Sequence, residues 1–94
     1  MASPRDRITV NGEWELVRTN PAGLVFRFGC FARAPGCLAV GDPSGEFTWF
    51  AGYRWQIGVC RRCDQHLGWR FTAPGDAFYG LVLDHLMEGQ QRVG

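Results

Sequence analysis

Short stretches rich in Val, Ile, Phe, Trp and Thr alternate along the chain with turns marked by glycine and proline. Runs of about five such residues between turn signals predict strands, because a pleated, half-buried surface suits β-branched and aromatic side chains. On this pattern strands are expected near 8–10, 13–18, 24–28, 38–40, 46–50, 54–59, 67–72 and 78–85. Asn11-Gly12 suits the positive backbone angles of a two-residue hairpin turn. Further turns are expected at Asn20-Pro21-Ala22-Gly23, Ala34-Pro35-Gly36, Asp42-Pro43-Ser44-Gly45, Ala51-Gly52 and Ala73-Pro74-Gly75-Asp76. The last segment is ambiguous: Phe78, Leu81, Val82 and Leu86 would also share a helical face. Its Phe, Tyr and Val content and Gly80 favour a strand.

Alternation then sorts the aromatic residues. Trp55, Ile57 and Val59 would share one face of their strand, and Leu67, Trp69 and Phe71 one face of the next. Trp49 precedes the Ala51-Gly52-Tyr53 corner, so two tryptophans flank one tight turn. A small β domain has few other ways to bury area, so these rings would serve as core even without a ligand.

Composition narrows the function. Ninety-four residues, 46% hydrophobic and 20% charged, make a single globular domain of the all-β class. Ten basic against nine acidic side chains leave a net charge of +1, and the arginines are scattered, so no nucleic-acid partner is expected. No apolar run approaches the ~20 residues of a membrane span, and the polar start does not read as a signal peptide. A cytoplasmic protein with no membrane partner is therefore expected.

The block Phe47-Thr48-Trp49-Phe50-Ala51-Gly52-Tyr53-Arg54-Trp55, then Cys60-Arg61-Arg62-Cys63, then His66-Leu67-Gly68-Trp69-Arg70-Phe71 resembles the thalidomide-binding (CULT) domain family of cereblon. The likeness is strongest to the family's short bacterial single-domain members. Asn20-Pro21-Ala22-Gly23 resembles the family's pocket-closing loop, Pro43-Ser44-Gly45-Glu46 its approach to the first cage tryptophan, and Phe78-Tyr79-Gly80-Leu81 its final strand. The likeness implies a β-tent of two antiparallel sheets set steeply against each other and pinned by zinc. It divides residues 1–94 into a shortened N-terminal hairpin region over 1–18, a ligand-binding core over 19–88 and a polar tail over 89–94. It further implies that Trp49, Trp55 and Trp69 wall a box based on Phe71, that the main chain of Phe47 and Trp49 supplies hydrogen bonds, and that Asn20 and Pro21 contribute from the opposite loop. The implied ligand is a cyclic imide: the glutarimide of thalidomide-type drugs, a C-terminal cyclic imide on a damaged protein, or a uracil-like ring. Eukaryotic relatives recruit proteins to a ubiquitin ligase through further domains, a role this chain by itself does not support.

Two departures and two rival functions complete the expectation. Cys60 and Cys63 have the spacing of one zinc knuckle, but the family's other C-x-x-C is missing, so the metal-ligand set is incomplete. Zinc with ligands from elsewhere, idle thiols, a disulfide and redox chemistry all remain open for this pair. Cys30 and Cys37, seven apart, do not form a second knuckle, and Cys30 reads as a buried small hydrophobe. Three aromatic faces would also suit a methylated ammonium group. The fold class is shared with methionine sulfoxide reductases, but no cysteine follows Cys63 to act as nucleophile, so a binder and not an enzyme is expected. His66 and His85 are read as structural or solvated.

Overall fold

A computed structural model of the chain describes residues 2–84. After a single 3₁₀ turn at Pro4–Asp6, the described residues form six strands: β1 Glu15–Thr19, β2 Val25–Phe31, β3 Cys37–Ser44, β4 Arg54–Cys60, β5 His66–Ala73 and β6 Asp76–Val82. Every pairing is antiparallel, in the order β1-β2-β6-β5-β4-β3. The hairpin β1–β2 and the meander β3–β6 are joined where Phe28, Gly29, Cys30 and Phe31 pair with Val82, Leu81, Gly80 and Tyr79. The all-β, antiparallel expectation therefore holds, with one ladder running through all six strands in place of two separate sheets.

Turn chemistry places most of these strands. Asn11 and Gly12 both adopt positive φ, and Val10 and Glu13 exchange main-chain hydrogen bonds across them. Residues 8–10 nonetheless form no strand: Val10 bridges only to Glu13 across the turn, and the neighbouring Arg7 makes a single bridge to Phe31 of β2. The strand expected at 46–50 is instead a turn: Phe47 sits at φ 55, a left-handed angle that ends extended pairing. The turn expected at residues 42–45 is correspondingly displaced, because β3 carries its edge pairing through Pro43 to Ser44 across a register irregularity. The final strand ends at Val82; its expected continuation to residue 85, His85 and the tail lie outside the described residues.

Side-chain alternation separates two apolar clusters on the two faces. Leu16, Phe28, Cys30, Phe50, Phe71 and Phe78 form one, against which Phe26, Trp49, Trp55 and Trp69 pack. Phe31, Ala34, Cys37, Leu67 and Leu81 form the other. Gly80 makes the first cluster possible: a Cβ there would stand 2.7 Å from the Phe28 ring and 3.2 Å from that of Phe71, so both rings rest on bare backbone.

Candidate functional site

The β4/β5 pairing sets the site. Trp55 lies opposite Phe71 and Ile57 opposite Trp69, so four apolar side chains share one face. The register then shifts: Gly58 faces Gly68, but Val59 faces His66, leaving Leu67 as an extra residue on β5. This bulge corrects the sequence reading. Leu67 does not point with Trp69 and Phe71 but is buried with Leu81 and Cys37 in the opposite cluster, and His66 takes the pocket side instead.

Indole N–H groups fix the walls. Trp49 Nε1 donates to the Thr19 carbonyl at 3.1 Å, tying the first cage ring to the end of β1. Trp55 Nε1 donates to the Glu46 carbonyl at 2.7 Å, tying the second to the turn before Phe47. With both donors spent on main chain, what these rings present to the pocket is apolar face. Trp69 is held edge-on by four neighbours: Trp49 at 4.9 Å, Phe26 at 5.0 Å, His66 at 5.0 Å and Phe28 at 6.1 Å between ring centres. Phe28 stacks on Trp49 at 5.5 Å from behind.

These rings enclose a pocket of about 490 Å³ lined by Asn20, Pro21, Phe26, Phe47, Trp49, Trp55, Ile57, His66, Trp69 and Phe71. Phe71, 1% exposed, forms the floor, while Phe47, 73% exposed, stands at the mouth. Asn20 shapes the opposite loop: its side-chain carbonyl accepts from Leu24 N at 2.9 Å, and its own N–H donates to the Leu24 carbonyl at 2.9 Å. All the residues expected to surround a ligand thus meet in one hollow. Phe26, Ile57 and His66 also line it. Phe26 and Ile57 were legible only as strand residues; His66 needed the bulge. Its Nε2 lies 3.0 Å from the Gly68 carbonyl.

The cysteines occupy other places. Cys30 and Cys37 are buried, Cys60 is half-buried and Cys63 exposed. Burial pushes the Cys30 thiol up to about 11 and raises that of Cys37 as well. The main-chain amides of Arg62 and Cys63, with the Cys63 thiol, hold the Cys60 thiol below its ordinary value. Among the described residues no three His, Cys, Asp or Glu side chains converge on a common centre.

An antiparallel β domain with an aromatic cage in one face of its sheet is the class that fold and site define. Comparison with known proteins gives the particular family: the chain is a cereblon-like domain. It is 34% identical to chicken cereblon over 84 residues, 44% identical to that of Xenopus tropicalis over 68 and 41% identical to that of Danio rerio over 73. These alignments cover 80%, 67% and 72% of this chain but only 19%, 15% and 17% of the relatives. The chain thus spans less than a fifth of the length of the curated proteins it matches. No family model matches it.

Proposed function

We propose that the cage binds a small uncharged ring with an acceptor, donor, acceptor edge, a cyclic imide of the glutarimide type, and holds it without chemical change. The observation that carries this reading is the lining itself: indole and phenyl faces with no acidic side chain among them. Apolar faces bury the ring methylenes, while an unpaired polar atom in such a hollow costs about 1–3 kcal/mol, so the imide edge needs matched partners. The main-chain groups of Phe47 and Trp49 make no hydrogen bond with other described residues, and both residues border the pocket. They are the partners we assign to the imide. A hollow of about 490 Å³ falls within the ~300–1,000 Å³ usual for small-molecule sites and leaves space for a substituent on the ring. Ligand recognition, not assembly with a ubiquitin ligase, is the part of the cereblon role that this pocket supports.

Affinity follows from size. Roughly eight non-hydrogen atoms at ~0.8 kcal/mol each give about −6 kcal/mol for the bare ring, or tens of micromolar. Titration with glutarimide should perturb tryptophan fluorescence in that range, and the N-methylated imide, lacking the central donor, should bind at least about tenfold more weakly. Silence at millimolar glutarimide rejects the reading. Tighter binding of a trimethyl-lysine peptide would transfer the cage to the cation class, which the missing carboxylate disfavours.

A further inference from the structure

A second hollow, of about 550 Å³, shares Trp49 with the cage but none of its other walls. Three stretches distant in sequence build it: residues 8–11, the corner at 49–53 between β3 and β4, and the start of β6. Main-chain bonds hold the first stretch in place. Ile8 N donates to the Cys30 carbonyl at 3.1 Å, and Val10 and Glu13 exchange bonds of 2.8 and 3.2 Å. Phe50 and Phe78 are buried, their rings edge-on at 5.3 Å, and Tyr53 stands edge-on to them at 6.4 and 5.5 Å. The floor is therefore aromatic, whereas Thr9, Asn11 and Asp76 are exposed and make a polar rim.

That rim carries one charge. The Tyr53 hydroxyl donates to Asp76 Oδ2, and this bond raises the phenol above its ordinary value, so it stays a neutral donor. The other carboxylate oxygen, the Thr9 hydroxyl and the Asn11 side-chain carbonyl have no hydrogen-bond partner among the described residues. No basic side chain lines the hollow, and neither ion pair among the described residues engages Asp76. We propose that this hollow binds a primary ammonium group carried on an apolar stem, as in a short alkylamine.

Each part of such a ligand meets a matching group. An ammonium has three N–H donors and no acceptor, and the rim offers a carboxylate oxygen, a hydroxyl and an amide carbonyl. The stem covers Phe50 and Phe78, and aromatic rings beside a cation add to the attraction. This is the carboxylate that the cage lacks. An anion would be repelled by Asp76, and an uncharged alcohol would forgo the charge-assisted bond. One guanidinium stands near: Arg18 lies over the Phe50 ring at 5.5 Å. It is tied to the Val17 carbonyl at 2.8 Å and does not line the hollow, so it weakens the pull on a cation without filling the space.

The test is a titration of the whole chain with n-butylammonium chloride, followed by amide and indole N–H resonances at low salt. Saturable shifts at Asn11, Tyr53 and Asp76, with a midpoint of roughly 1–10 mM, are expected, while the Trp55 and Trp69 indoles stay still. The uncharged isostere n-butanol should bind at least about threefold more weakly, and Asp76→Asn, which keeps an acceptor for Tyr53, should weaken n-butylammonium by a similar factor. Asn11→Asp, a change that the Asn-Gly turn tolerates, adds a carboxylate to the rim and should tighten binding about twofold or more. Equal binding of n-butanol, undiminished binding by Asp76→Asn or no gain in Asn11→Asp overturns the proposal. Shifts confined to the Trp55 and Trp69 indoles also overturn it, because the cation would then sit in the cage.

Discussion

At the scale of single residues, burial and ring contacts make separable predictions. Desolvation keeps the Cys30 thiol protonated up to about 11, against 9.0 for an ordinary thiol, with Arg18 opposing the shift. The folded state thus holds this proton more tightly than the unfolded chain. Its contribution to stability is complete below 9.0 and is lost as pH rises through about 11. The urea midpoint should fall over that interval, and the fall should shrink in Cys30→Ala. Trp69 is a different case, since its ring is gripped by Trp49, Phe26 and His66 and also walls the pocket. Trp69→Ala should cost imide affinity at least about tenfold, or ~1.4 kcal/mol. Calorimetric titration measures this, and unchanged affinity in a folded variant would remove Trp69 from the site.

At the scale of elements, the β4–β5 and β5–β6 pairings carry the architecture, and glycines permit the approach. A Cβ on Gly68 would lie 1.9 Å from the Gly80 carbonyl oxygen and 2.9 Å from the Leu81 Cα, both main-chain atoms of β6 that cannot swing aside. Gly68→Ala should therefore cost about 3 kcal/mol or more and lower Tm by well over ~10 °C, read by calorimetry. The Asn20 loop is a gentler case. Asn20→Ala removes the acceptor for Leu24 N, at an expected cost of about 1 kcal/mol, and should weaken imide binding a few-fold while the sheet persists. Most of the strands were legible in the sequence because glycine and proline punctuate them. The segment at 46–50 was not, because Phe47-Thr48-Trp49-Phe50 has strand composition while Phe47 takes a left-handed angle in a turn whose Glu46 carbonyl accepts from Trp55 Nε1.

For the molecule as a whole, near-neutral charge and a pocket without carboxylates mean that binding of an uncharged ring gains little from long-range fields. Imide affinity should change less than about twofold between roughly 20 and 500 mM salt, whereas a cationic ligand drawn by charge would lose affinity as salt rises. Parallel titrations at the two salt concentrations distinguish these outcomes. No helix among the described residues is long and apolar enough to cross a membrane.

The sequence by itself determined the all-β class, the turns at Asn11-Gly12 and Gly23, and the identity of the aromatic rings, because these follow from local backbone preference and from residue types that few other structures need. Tertiary structure alone decided the bulge that turns Leu67 away and His66 inward, the recruitment of Phe26, and the single ladder joining hairpin to meander. Those outcomes depend on which strand lies opposite which. One extra residue in a ladder reverses every side chain beyond it, and no local pattern along the chain encodes that partner.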